Sequence, residues 1–305
     1  MDYTRRELGK LLLTLPAAGL LPRELFAVQA KPDSKWAGVQ VGMNVPYNYG
    51  ARDMNIDQTL ANTLALGISA VEMRSQPVEL AMGAPSTNVR GAAEQKAAAE
   101  QLRAWRLTAD PARAAAVRKK WEDAGVRMEV LKYDGIYQFT DPEMDYAFKL
   151  AKTLGVKAIS CELEVEGAKR VGQVADTHGV RVGYHAHTKQ TPQDFETAFG
   201  YAKQNGANLD IGHFVAGNFG SPVAFMKQHH ERITHVHIKD RKKDEGANTP
   251  FGEGDTPIKD VLRLIRDNKW PIQATIEFEY AVPAGSDRMK EIAKSIEYCK
   301  AALLS

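Results

Sequence analysis

The amino-acid sequence predicts a single-domain α/β protein, a closed (β/α)₈ barrel. Three observations lead there. From Trp36 onward, eight short β-rich runs alternate with helical patterns, and no shift in composition marks a domain boundary. Five helical stretches open on a capping side chain followed by proline, and five glycines stand where helices should stop. No Gly-x-Gly-x-x-Gly turn follows the first strand, which argues against an open dinucleotide-binding sheet.

Residues 1–30 are set apart as an export signal, leaving 31–305 as the barrel domain. Thr4-Arg5-Arg6-Glu7-Leu8-Gly9-Lys10 has the form of a twin-arginine signal. The apolar run at 11–21 is too short to span a bilayer of roughly 30 Å, and Val28-Gln29-Ala30 offers a small-residue cleavage site. The expected location is periplasmic or exported, with no membrane association once the signal is removed.

The strands are expected at 38–44, 68–74, 126–134, 156–164, 180–187, 208–213, 233–240 and 271–280. Between them, Asp110-Pro111, Asp141-Pro142, Thr191-Pro192, Ser221-Pro222 and Thr256-Pro257 signal helix starts, and Thr140 with Glu143 suits a capping box. Gly67, Gly125, Gly155, Gly179 and Gly206 signal stops. Residues 83–107 read as an insertion after the second strand, partly helical, forming either a rim element over the barrel mouth or a solvated surface helix.

Barrel strands are normally apolar on both faces. Several here alternate instead. Val182, Tyr184 and Ala186 alternate with Gly183, His185 and His187; Ile159, Cys161 and Leu163 with Ser160, Glu162 and Glu164; Ile276, Phe278 and Tyr280 with Thr275, Glu277 and Glu279. The apolar parity must face the helices, so the ionisable parity faces the axis, where Asp210 and His237 join it. Burying unpaired charges costs several kcal/mol each. One divalent cation (Mn, Co, Zn, Fe or Mg) would compensate them, held by His185, Asp210, His237 and Glu277. His235 is expected deeper on the same face as a supporting residue, and His178, His229 and His230 as ordinary surface or core side chains. Cys161 and Cys299 read as buried small hydrophobes.

Four motifs, in order, carry a resemblance: Leu209-Asp210-Ile211-Gly212-His213, His235-Val236-His237-Ile238-Lys239-Asp240, Pro250-Phe251-Gly252-Glu253-Gly254-Asp255 and Thr275-Ile276-Glu277-Phe278-Glu279. With them the chain resembles the xylose-isomerase-like TIM-barrel family of sugar isomerases and epimerases, which is also similar to the barrel endonucleases and includes inosose dehydratases. The resemblance implies one divalent cation with ligands at Asp210, His237 and Glu277, and a substrate-contacting histidine at His213. The fifth strand departs from the epimerase pattern: His185 stands where a glutamate is usual, as in the dehydratase branch. His185, Glu162, Glu277, Glu279 and Lys239 are therefore the catalytic candidates, and His187, His213, Asp240 and Glu164 the substrate-binding ones.

The expected function is a metal-dependent sugar isomerase or epimerase that abstracts a proton next to a carbonyl and passes through an enediolate. The alternatives are a dehydratase or lyase on a keto-sugar or inosose-like polyol, and a non-catalytic exported carbohydrate-binding barrel. A formal net charge of +2 supplies no surplus for nucleic acid, so the expected partner is a small carbohydrate, with homo-oligomerisation left open.

Overall fold

In the computed structural model, residues 31–51 and 54–305 are described. The export-signal reading therefore lies outside the described residues. The apolar parity builds eight parallel strands: β1 (Val39–Val45), β2 (Ala70–Arg74), β3 (Arg127–Lys132), β4 (Ala158–Glu162), β5 (Arg181–His185), β6 (Asn205–Asp210), β7 (Ile233–Ile238) and β8 (Gln273–Ile276). Each pairs with its sequence neighbours, and β8 pairs back onto β1, so the barrel closes. Closure removes the sheet edges.

Helices form the outer ring: α1 (Ile56–Ala65), α2 (Ser75–Ala81), α3 (Ala92–Arg106), α4 (Ala114–Asp123), α5 (Asp141–Leu154), α6 (Val165–His178), α7 (Pro192–Tyr201), α8 (Ile211–Ala216), α9 (Pro222–His229), α10 (Ile258–Asp267) and α11 (Arg288–Leu304). Their inner faces pack on the outward strand residues, among them Met43, Met73, Ile159, Tyr184, Leu209, Val236 and Ile276, all buried. Cys161 and Cys299 are both buried free thiols within this core.

The capping signals are mostly realised. Thr140 and Glu143 form a capping box at α5, Thr191 and Asp194 another at α7, and the Ser221 side chain accepts from Ala224 N–H at α9. Gly155 and Gly179 end α5 and α6 in the left-handed conformation. Two signals are redirected. Thr256 does not cap α10, because its hydroxyl accepts from Arg241 N–H at 3.0 Å, and Gly206 lies inside β6 rather than at a helix end. A Cβ at 206 would meet the Arg232 carbonyl, so close strand packing explains that glycine.

The expected sixth strand is also corrected. The chain turns helical after Asp210, whose side chain accepts from His213 N–H at 2.7 Å and opens α8, so His213 is a helix residue. The expected eighth strand ends early, at Ile276, leaving Glu277 and Glu279 on the segment that leaves the barrel mouth.

The 83–107 insertion becomes a loop and α3, mostly exposed along its length. Its anchor is Arg106, buried, with Nε and Nη2 donating to the Glu79 carboxylate at 2.8 and 2.9 Å, and its guanidinium 4.4 Å from the Phe139 ring centroid. Removing one partner strands a buried charge. Arg106→Ala should lower the unfolding free energy by about 3 kcal/mol, read as a shift in the urea midpoint at unchanged slope.

Candidate metal centre and reaction site

The axial polar parity converges at the C-terminal mouth of the barrel. Register sets the levels: Glu162 pairs with His185, His185 with Asn208, and Asp210 with His237. His185 Nδ1 is 3.0 Å from Glu162 Oε2, and its Nε2 faces Asp210 Oδ2 at 3.4 Å and Glu277 Oε2 at 4.0 Å. His237 Nε2 is 2.5 Å from Glu72 Oε2, and its Nδ1 faces Glu277 Oε1 at 3.3 Å and Asp210 Oδ2 at 3.8 Å. Cation bonds of about 2.0–2.2 Å set tetrahedral donors about 3.4 Å apart. The His185–Asp210 and His237–Glu277 spacings match this, while the other two, at 3.8 and 4.0 Å, are longer.

Two buried atoms support the same fit. His237 Nδ1 has no hydrogen-bond partner, and Glu277 Oε2, though 2.7 Å from Lys239 Nζ, lacks hydrogen-bond geometry to it. Orphaned buried atoms are costly unless something binds them.

Among the described residues, however, the donor atoms of His185, Asp210, His213 and Glu277 all lie within 4.8 Å of one another, while His237 groups with Glu72 and His235. Hydrogen bonding chooses between the two histidines. Arg241 Nη1 donates to His213 Nδ1 at 2.7 Å and the Lys239 ammonium stands 3.0 Å from His213 Nε2, so both ring nitrogens already face cationic donors. Glu72 draws the His237 proton to Nε2 instead and leaves Nδ1 as the lone pair facing Glu277 and Asp210. His237 is the better fourth ligand, with His213 beside it.

Lys239 sits among these groups, its Nζ 2.6 Å from Glu279, 2.7 Å from Glu277, 3.1 Å from Asp210 and 3.0 Å from His213 Nε2. Burial opposes its charge, but Asp210, Glu277 and Glu279 hold its pKa well above the usual lysine value. Burial also opposes charge on Asp210 and Glu277. His213 and then Lys239 for Asp210, and His237 and then Lys239 for Glu277, keep both carboxyls below their usual range. Burial pushes His213 down to about 4, against the pull of Asp210. It opposes charge on His237 too, but Glu277 and Glu72 carry that imidazole up to about 10.

Two proton-handling groups flank the centre. On the β4–β5 side, Glu162 Oε2 lies 3.0 Å from both His185 Nδ1 and His187 Nε2, and its Oε1 accepts from buried Lys132 at 2.6 Å. His187 is half-exposed at the mouth. On the β8–β1 side, Glu279 accepts from the Tyr47 hydroxyl at 2.6 Å and from Lys239. Burial and Glu279 push the Tyr47 phenol well above its usual pKa, so it stays a neutral donor.

Two expected substrate contacts take other places. Both Asp240 oxygens are taken by backbone N–H groups, Gly252 and Gly254 at 2.7 and 2.9 Å and Thr256 at 3.1 Å, so this carboxylate braces the 250–256 loop. A Cβ at 254 would collide with it, which accounts for that glycine. Glu164 is exposed at the N-cap of α6, apart from the cluster. His235 is fully buried, 3.3 Å from Glu72, in a supporting position. His178, His229 and His230 lie elsewhere, beside Asp145, Glu196 and Trp270.

Glu72, Lys132, Tyr47 and Arg241 were not anticipated. Glu72 carried a usable signal, since Ala70, Glu72 and Arg74 alternate with Val71 and Met73 as the other axial strands do. Burial would raise its carboxyl, yet His237 and His235 hold it well below the usual range. Tyr47 and Arg241 lie beyond the ends of the barrel strands, Arg241 in a short two-residue strand, Asp240–Arg241, that pairs with Asn248–Thr249.

A closed (β/α)₈ barrel with buried His/Asp/Glu clusters at its C-terminal mouth has the form of a barrel enzyme with a divalent metal site. The chain belongs to the xylose isomerase-like TIM barrel family, whose model matches residues 60–302. This is a family of sugar isomerases, epimerases and dehydratases. The chain is similar to the inosose dehydratase of Clostridium botulinum, 25% identical over 196 residues, 57% of this chain and 59% of that protein. It thus spans less than two thirds of the length of that relative. Among solved structures, the fold is similar to the probable 3-DHS dehydratase AsbF involved in petrobactin synthesis from Bacillus anthracis, at 12% identity and TM-score 0.62, covering 85% of this chain and 98% of that one. It is also similar to the IOLI protein with a binding zinc atom, at 14% identity and TM-score 0.57, covering 87% and 96%.

Metal content distinguishes the two histidines. His237→Ala should lose at least tenfold in cation affinity, while His213→Ala and Glu164→Gln retain the cation. A ligating Nδ1 cannot keep the proton that an imidazole with a pKa of about 10 holds, so binding releases it. Affinity should therefore weaken as the pH is lowered from about 8 to about 6, measured by equilibrium dialysis.

Proposed function

We propose that this protein is a metal-dependent dehydratase acting on an unphosphorylated keto-sugar or inosose-like keto-polyol. The observation that carries the reading is the unequal make-up of the two walls. Strands β4 and β8 lie four apart around the barrel. One wall presents two imidazoles sharing Glu162 and the other presents Glu279 with Tyr47 and Lys239. A matched pair of carboxylates suits proton exchange across both faces of an enediolate. An unmatched pair suits elimination, in which a base takes the proton next to the carbonyl and an acid protonates the departing hydroxyl. The name of the Clostridium botulinum relative supports the same outcome.

In this reading, Glu162 holds the His187 proton on Nε2, leaving Nδ1 as the base. Lys239 stabilises the negative charge that develops on the carbonyl oxygen. Tyr47 and Glu279 deliver the proton with which the β-hydroxyl leaves as water. A divalent cation held by His185, Asp210, His237 and Glu277, when bound, polarises the carbonyl and holds neighbouring oxygens. The zinc atom in the IOLI structure supports a metal of this kind. We further propose that residues 1–30 direct export, and with it that the substrate is unphosphorylated, because sugar phosphates are scarce outside the cytoplasm.

Incubating metal-loaded protein with inosose and with keto-sugars in D₂O tests the reading. The expected product lacks one water and, once its enol ketonises, carries deuterium at the carbon that lost the hydroxyl, and Glu162→Gln and Glu279→Gln each slow its formation at least a hundredfold. A deuterated product of unchanged composition would replace dehydration with isomerisation. Binding without deuterium uptake would remove the enzyme reading for those compounds, and equal turnover of a sugar phosphate would remove the substrate claim.

A further inference from the structure

Beside the Tyr47–Glu279 wall lies a cleft of about 380 Å³ lined by Tyr47, Gly50, Asn248, Phe278, Glu279 and Arg288. Two of these belong to the proposed proton machinery, so anything seated in the cleft adjoins the reacting atoms. Its cation is Arg288, the first residue of α11. Among the described residues Arg288 makes no ion pair, and of its five N–H donors only Nη1 is engaged, donating to the Asn48 carbonyl at 3.2 Å. The guanidinium carbon lies 5.0 Å from the Phe278 ring centroid, which fixes the orientation of the fork. Gly50 makes room for it, since a Cβ there would stand 3.1 Å from Arg288 Nε.

The neighbouring charge does not consume this cation. Glu279, the carboxylate in the cleft, is engaged by Lys239 at 2.6 Å and by the Tyr47 hydroxyl, and makes no ion pair with Arg288. A half-buried guanidinium with free donors, held on an aromatic face next to a reaction centre, is suited to bidentate recognition of an oxyanion.

We infer that the Arg288 cleft is an anion-binding subsite that receives an oxyanion substituent of the substrate, a carboxylate where the sugar is unphosphorylated. The inference rests on the axial cluster being the reaction centre, which makes the cleft a subsite of that centre. It extends the substrate class from neutral keto-sugars to sugar acids.

The test reads binding rather than turnover, so it stays separate from the dehydration assay. Titration calorimetry of the metal-loaded protein uses glucuronate, glucose 6-phosphate and glucose as probes. Glucuronate should bind at least tenfold more tightly than glucose. Arg288→Gln should abolish that difference, and Arg288→Lys should keep part of it, because the charge remains and the fork is lost. Thermal unfolding of both variants confirms that they are folded. If glucose 6-phosphate is preferred to glucuronate, the anion subsite stands and the unphosphorylated-substrate reading falls. Equal affinity for all three probes, a preference surviving in Arg288→Gln, or no measurable binding of either anion at millimolar concentration overturns the inference.

Discussion

The Lys239 ammonium, set within 3.1 Å of Asp210, Glu277 and Glu279, shows the constraint on which the rest of the site depends. Charges at the dry end of a barrel axis must balance one another, because each lone ion there costs several kcal/mol. Five carboxylates, those of Glu72, Glu162, Asp210, Glu277 and Glu279, meet two lysines, Lys132 and Lys239, near the mouth. The His185 and His237 imidazoles, whose pKa values are raised, supply part of the remaining positive charge, and a divalent cation can replace the proton on His237. Neutral residues complete the account. The Asn44 amide donates to Glu277 Oε1 at 2.9 Å, and Asn208 lies 3.0 Å from His237 Nε2.

The same constraint acts on the residues that orient the histidines. Glu72 draws the His237 proton to Nε2 and frees Nδ1, while Arg241 and Lys239 between them face both nitrogens of His213. Asp240 spends both oxygens on the 250–256 loop, which carries the chain back toward the mouth and holds Asn248 within 3.4 Å of Glu279. The reactive groups themselves stand at strand ends, where the barrel is rigid and the loops are free to differ.

Much of this was legible in the amino-acid sequence because a barrel strand has only two faces. Period two assigned His185, Asp210, His237 and Glu277 to the axis, and the closed sheet brings all four to one end. The same rule applied to 68–74 reaches Glu72, which was overlooked because Met73 and Val71 make that run look uniformly buried. Where the strand ends, the rule need not hold. Asp210 caps α8 and turns His213 onto a helix, whereas past Ile238 the alternation persists for two more residues, with Lys239 inward like His237 and Asp240 turned to the loop.

The sequence by itself determined the barrel, its family and the inward set of ionisable residues, since alternation, caps and motif order are local properties of the chain. Only the tertiary structure decided which nitrogen of each histidine is free, that Asp240 is a brace, that Glu164 stands outside, and that Tyr47 meets Glu279 across 232 residues of chain. Those outcomes depend on distances between side chains far apart in sequence. Hydrogen-bond direction and desolvation, which set the chemistry, are properties of such distances and not of spacing along the chain.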